Sequence, residues 1–249
     1  RARLEALPKA TPADLLAIQL DDRADYLANW QPLALAALQR AGLEQAAALV
    51  ARWSGRAAVD DAGYRLVRQF ERRVADRAFT MLTVEARARW PDFRWRTPQR
   101  FTEVAWRLLR ERPAHLLDPR FAGWDAWLAD VATEIVADLP EPCTDLEGCR
   151  WGEVNRASIR HPISEAVPFL ARFLDMPADA LPGDWSTPRV QSSRFGASQR
   201  FAVSPGREDE GYFHMPGGQS GHPLSPFYRA GHDAWVNGEA TPFLPGVPK

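Results

Sequence analysis

The sequence predicts an α+β fold, with a helical first half and an antiparallel β-rich second half. Three observations lead there. Apolar residues recur at helical spacing over long stretches before residue 139. The composition then changes at Leu139-Pro140-Glu141-Pro142, after which prolines and glycines become frequent and the helical period fades. Beyond that point short alternating segments lie between turn residues. The expected division is a helical segment over 1–142 and a β-rich segment over 143–249.

The opening stretch, Arg1-Ala2-Arg3-Leu4-Glu5-Ala6-Leu7, reads as helix. No charged-then-apolar leader precedes it and the first residue is Arg, so the sequence is expected to be a piece of a longer polypeptide. Thr11-Pro12-Ala13-Asp14 has the form of a helix start: a hydroxyl N-cap, a proline in the first turn and an acid three residues after the cap. Leu15, Leu16, Ile18 and Leu20 begin an apolar face expected to continue through Tyr26, Leu27 and Trp30. A second helix is predicted from Pro32 to Trp53, ended by Ser54-Gly55. A third is predicted over Ala62 to Arg89, where Tyr64, Val67, Phe70, Val74, Phe79 and Leu82 keep near-helical spacing, and Trp90-Pro91 stops it. Further helices fit Pro98 to Glu111 and Gly123 to Asp138. In the second half, Trp151 to Ile159 alternates like a strand, and Val167 to Phe173 suits a short helix. Val190 to Gln191, Ser198 to Val203 and Gly211 to Met215 suit short strands. Gly206-Arg207-Glu208-Asp209-Glu210 is a polar hairpin connection.

The 31 basic and 32 acidic residues nearly cancel, which gives no reason to expect nucleic-acid or membrane-surface binding. No apolar run approaches the roughly 18 residues of a membrane span. Ten tryptophans, among them Trp53, Trp90, Trp95 and Trp106 beside charged residues, read first as amphipathic helix packing and secondarily as substrate-facing aromatics. The two cysteines, Cys143 and Cys149, stand six residues apart in one loop. They suit a small disulfide ring and an oxidising compartment; two free thiols are the alternative.

Searches for chemistry-bearing motifs come back empty: no phosphate loop, no His-Glu-x-x-His, no Cys-x-x-Cys, no Gly-x-Ser-x-Gly on a strand-to-helix turn. His115 reads as a loop or packing residue. His161, His214, His222 and His232 all fall in the second half, without regular ligand spacing, and no metal site is assigned to them. The most unusual composition is Pro216-Gly217-Gly218-Gln219-Ser220-Gly221-His222-Pro223. Its glycines free the backbone, so amide N–H groups can converge on a ligand there or the chain can simply turn.

At this loop a resemblance emerges. Pro216 through Tyr228, with Ser225-Pro226-Phe227-Tyr228 at its end, resembles the C-terminal signature of the penicillin acylase family, as does Trp235-Val236-Asn237-Gly238-Glu239. Phe195-Gly196-Ala197-Ser198-Gln199-Arg200-Phe201-Ala202-Val203 is similar to the strand before that loop. Cys149-Arg150-Trp151-Gly152-Glu153-Val154-Asn155 and Arg160-His161-Pro162-Ile163-Ser164 are similar to a family strand and turn. In the helical half, Asp14 to Asp21, Ala51 to Arg56 and Arg112 to Leu117 fit in the same order.

The resemblance implies an N-terminal-nucleophile hydrolase with a four-layer αββα sandwich, of which this chain is the C-terminal part of the β subunit. A periplasmic or secreted precursor of that kind cuts itself and exposes a Ser whose hydroxyl attacks an amide and whose α-amine serves as base. The implied substrates are N-acyl compounds: penicillins, cephalosporins, acyl-homoserine lactones or lipopeptides. The nucleophile, the oxyanion Asn and the ligands of the family's structural calcium are expected upstream, outside the chain, so no catalytic residue, metal site or cofactor is assigned within it. Asp184 is a candidate acidic support by register, with a turn-capping role as its alternative. Gln219, Ser220 and His222 are candidate supports from the loop, and Ser220 is not read as a nucleophile. The implied partners are the remaining acylase segments, or further copies of the chain, with a small N-acyl amide as substrate. Two other readings stand beside this one: a non-catalytic binding or structural module on the same scaffold, and a metallohydrolase using the histidines.

Overall fold

The computed structural model describes residues 1–90, 92 and 101–246, with only the backbone of Phe195. The fold is α+β. The chain divides into two compact units, one formed by Asp25–Gly55 and Asp60–Val154, the other by Arg1–Ala24, Arg56–Val59 and Asn155–Lys249.

The first unit is helical and organised around Ala62–Leu82. Asp61 caps this helix by accepting from the Tyr64 amide at 2.8 Å. Tyr64, Val67, Phe70 and Val74 are fully buried and Phe79 nearly so, whereas Leu82 is 40% exposed, so the period read from the sequence is the period of the core as far as Phe79. The helix packs on Glu44–Ala51, Trp124–Ala137 and Phe101–Glu111. Gly63 permits the closest approach: a Cβ there would lie 2.4 Å from the Leu49 carbonyl oxygen. Three charged residues are buried with the apolar ones. Arg68 and Glu71 pair at 3.0 Å, and Arg65 donates from Nε to the Cys149 carbonyl at 3.1 Å. Burial alone pushes the Arg65 guanidinium down to about 10. Cys149 is disulfide-bonded to Cys143.

Several boundaries differ from expectation. The helix expected from Pro32 to Trp53 is two helices, Gln31–Arg40 and Glu44–Ala51, because Gly42 turns the chain at φ 71°. The helix expected to reach Arg89 stops at Leu82. Thr83 leaves helical geometry and turns its hydroxyl back to the Phe79 carbonyl at 2.8 Å, and Val84–Arg89 follows as a separate helix. The apolar face beginning at Leu15 does not run through one helix. Pro12–Gln19 ends before Asp21 and Asp22, and Asp25–Ala28 is a separate turn. Phe101–Glu111 is helical; Pro91, Trp95 and the expected start at Pro98 lie outside the described residues. Trp151–Val154 is a helical turn where a strand was expected, because Trp151 is buried edge-on against Tyr64, their ring centroids 4.8 Å apart.

The second unit holds the strands, and they are shorter than the alternation suggests. Gln191–Ser192 pairs antiparallel with Phe195–Gly196, and Arg200–Ala202 pairs with Tyr212–His214. The latter hairpin is joined by a polar stretch containing the 3-10 turn Glu208–Glu210. A third extended pairing runs between residues 155–159 and 176–181: Ala157 N–H donates to Asp179 O and Leu181 N–H to Asn155 O, both at 2.8 Å, and Met176 N–H to Ile159 O at 3.1 Å. The second half is therefore β-containing, with prolines and glycines limiting every ladder, rather than β-rich. Pro12–Gln19 packs on the Arg200–His214 hairpin, and Gln19 donates to the Phe201 carbonyl at 3.0 Å. Thr11 and Asp14 form the expected capping box.

Candidate functional site

The glycine-rich stretch, the clearest candidate in the sequence, forms a lobe closed on itself. Gly218 N–H donates to Tyr228 O at 3.0 Å, and Ser220 N–H reaches toward Phe227 O. Gly218 is a steric requirement, since a Cβ would fall 1.7 Å from the Phe227 carbonyl oxygen. Gly217 lies over Met176, whose Cε a Cβ would approach to 3.3 Å. Thus two of the amides expected to converge on a ligand are bonded within the lobe.

The side chains of the lobe are also engaged locally. Gln219 is exposed and points Nε2 at the Met215 sulfur, 2.8 Å away. Ser220 Oγ accepts from His222 N–H at 3.1 Å, and His222 Nδ1 accepts from Leu224 N–H at 3.2 Å. The imidazole of His222 is turned to the backbone, not to the Ser220 hydroxyl, so the two do not form a nucleophile–base pair. Asp184 is fully buried in a turn. Its Oδ1 accepts from Trp185 N–H at 2.7 Å, and its own N–H donates to Thr187 Oγ1 at 2.9 Å. The contacts named for Asp184 and those of Gln219, Ser220 and His222 share no residue.

Beneath the hairpin lies a polar cluster that the sequence did not reveal. Its centre is the C-terminal turn of the helix His232–Asn237, whose last carbonyls have no partner within the helix. Gln191 donates to Trp235 O at 3.0 Å, Arg200 to the same oxygen at 3.2 Å, and Arg189 to Val236 O at 2.5 Å. Two cations and an amide thus cap the negative end of one short helix. Asn155 spreads its amide over the carbonyls of Leu181, Gln191 and Gly183 at 2.8, 3.1 and 3.3 Å. Trp235 fixes the helix from the other side, with Nε1 donating to Ala197 O at 2.8 Å and its ring seated where Gly196 leaves room.

The electrostatics follow from this burial. Arg200 is 2% exposed. Desolvation first, then repulsion from Arg189, pushes its guanidinium down to about 10. Among the described residues its Nε and second terminal nitrogen have no partner. Burial lowers Arg189 as well, with Asp22 opposing. His214 accepts at Nδ1 from Arg200, 3.1 Å away, and its Nε2–H donates to Glu239 O. Burial holds His214 below the ordinary histidine range; the bond to Glu239 pulls the other way, and the charges of Arg200 and Arg189 add to the lowering. His214 is therefore neutral at neutral pH.

The remaining histidines have separate surroundings. His161 Nδ1 accepts from Ile163 N–H, His115 lies exposed in the 3-10 turn Ala114–Leu116, and His232 contacts Pro216 and Asp179. Among the described residues no three His, Cys, Asp or Glu side chains gather to hold a metal ion. The signal that could have found the cluster is the arginine of the short strand. Arg200 faces inward with Ala202 while Phe201 faces out, and an inward charge in such a strand needs acceptors.

A family model described as Penicillin amidase matches residues 1–245. The chain is also similar to the Penicillin acylase 2 proenzyme of Pseudomonas sp. (strain SE83), with 28% identity over 145 residues. That match covers 55% of this chain and 18% of the relative's length.

Proposed function

The chain belongs to the penicillin amidase family, and from that premise we propose that it forms the C-terminal part of the β subunit of an amide-hydrolysing acylase. The observation that carries this reading is the family match over residues 1–245. The relative is a proenzyme of which the matched stretch is less than a fifth, so the larger share of the chemistry is assigned to segments outside these residues. On this reading an upstream Ser, freed by autoproteolysis, is both nucleophile and, through its α-amine, its own base. An upstream Asn contributes to the oxyanion hole, and any structural calcium is held upstream as well. The contacts of Ser220 and His222 support the assignment, because both side chains accept from backbone amides and form no nucleophile–base pair with each other.

The role proposed for this chain is support. The helical unit belongs to an outer layer of an αββα sandwich, the short ladders lie at the margin of its sheets, and the glycine-rich lobe is a wall near the site. Asp184, Gln219, Ser220 and His222 act behind the reacting groups. Substrates are N-acyl amides of the penicillin, cephalosporin, acyl-homoserine lactone or lipopeptide kind, the lactones giving a quorum-quenching role. The disulfide suits a periplasmic or secreted protein.

The experiment is to express the complete reading frame beside residues 1–249 alone. Intact-mass analysis of the processed protein should reveal a Ser-initiated segment. A chromogenic N-acyl amide should be turned over by the complete protein and not by the isolated chain. Robust turnover by the isolated 249 residues, or a reading frame with no such Ser, would overturn the proposal.

A further inference from the structure

His232 is 1% exposed, yet both nitrogens of its ring make polar contacts. Nδ1 lies 2.7 Å from the carbonyl oxygen of Pro216, and Nε2 lies 3.1 Å from Oδ2 of Asp179. A carbonyl oxygen only accepts, so Nδ1 carries a hydrogen. Nε2 then faces a carboxyl oxygen. That contact is within ion-pair distance. The ring thus makes polar contacts with two different segments at once. The partners assign this arrangement, and packing holds the ring in it: the Trp235 ring lies alongside with centroids 6.2 Å apart.

Those two segments are the base of the glycine-rich lobe and the stretch on which the lobe rests. Pro216 is where the lobe begins. Asp179 belongs to the extended stretch 176–181 and is fixed by its own backbone, whose carbonyl accepts from Ala157 N–H at 2.8 Å. The other end of the lobe is tied to the same region. Tyr228 Oη donates to Leu174 O at 2.5 Å, and Arg229 donates to Asp175 O at 2.7 Å and Arg172 O at 3.0 Å. We infer that His232 is the positioning residue of the glycine-rich lobe, clamping its entrance to Asp179 while Tyr228 and Arg229 clamp its exit. The clamp sets how the lobe presents Gln219, Ser220 and His222. Only its consequence for catalysis rests on the acylase reading; the clamp itself is a property of these 249 residues.

The test uses the full 249-residue chain, with ring-nitrogen NMR of the histidines and amide hydrogen exchange. His232 should carry a hydrogen on Nδ1, and a bare Nδ1 would overturn the inference. His232→Phe keeps the packing and removes both polar contacts. It should speed exchange at Gly218 by about tenfold, the loss expected for one hydrogen bond, while amides of Ala62–Leu82 keep their protection. Asp179→Ala, at a half-exposed side chain, should do the same, and Asp179→Asn, which keeps an acceptor, should stay near the parent rate. If His232→Phe unfolds the chain, Asp179→Ala decides: unchanged exchange at Gly218 sinks the clamp. In the complete acylase, Asp179→Ala should impair turnover and Asp179→Asn should restore it. An inactive parent would count against the acylase reading alone, since the exchange data judge the clamp independently.

Discussion

Gly218 sits where one missing side chain decides a conformation. The lobe folds back so tightly that a Cβ would occupy the space of the Phe227 carbonyl. Gly218→Ala should therefore open the lobe and lower stability by roughly 1–3 kcal/mol, seen as a fall in the thermal midpoint. His214 has a different effect. Its folded-state pKa lies below the ordinary 6.5, with burial as the first cause. The unfolded chain therefore takes up the proton before the folded one as pH falls. The stability tied to neutral His214 is complete above about 6.5 and is lost as pH drops toward the folded value. Denaturant midpoints measured from about pH 8 to pH 5 should fall in that lower window, and His214→Gln should flatten the decline. An unchanged slope would remove His214 as its source.

At the scale of elements, the helix Ala62–Leu82 carries the most consequential packing. Its Arg68–Glu71 pair is 1% exposed on both sides, and Tyr26 donates to Glu71 at 3.3 Å. Removing one partner takes the pairing charge away from a buried ion, whereas removing both takes the ion away as well. Arg68→Met should cost about 3–5 kcal/mol, and the double change Arg68→Met with Glu71→Leu should cost markedly less, which chemical denaturation of the three proteins would measure. This helix was legible from spacing because Tyr64, Val67, Phe70 and Val74 fall on its buried face. Its end was not, since Thr83 uses a hydroxyl bond to stop a pattern that continues in the side chains. The Trp151 turn failed for a related reason: alternation suits a strand, and burial against Tyr64 outweighs it.

For the whole molecule, the candidate site was only partly readable. The glycine-rich stretch stood out by composition, and the disulfide pair by spacing. The cluster of Asn155, Arg189, Gln191, Arg200 and His214 joins residues up to 59 positions apart with carbonyls near residues 181 and 235. No local pattern marks such a cluster, because each member is bonded to backbone atoms far along the chain. Large apolar side chains also remain open, with Phe169 69%, Phe227 63% and Leu224 81% exposed. Such surface favours burial against another chain. The 249 residues alone should therefore self-associate in light scattering, and coexpression with upstream acylase segments should suppress this. A persistent monomer would argue against companion segments covering that surface.

The sequence by itself determined the helical core, the change of character near Pro140, the capping box at Thr11 and the family, because periodicity, capping chemistry and motif order are local properties of a chain. Only the tertiary structure decided that the lobe's amides turn inward, that Arg189 and Arg200 cap a helix end, and that His232 bridges Pro216 and Asp179. Those outcomes depend on which distant carbonyls and carboxylates meet a buried donor, and that meeting is set by packing.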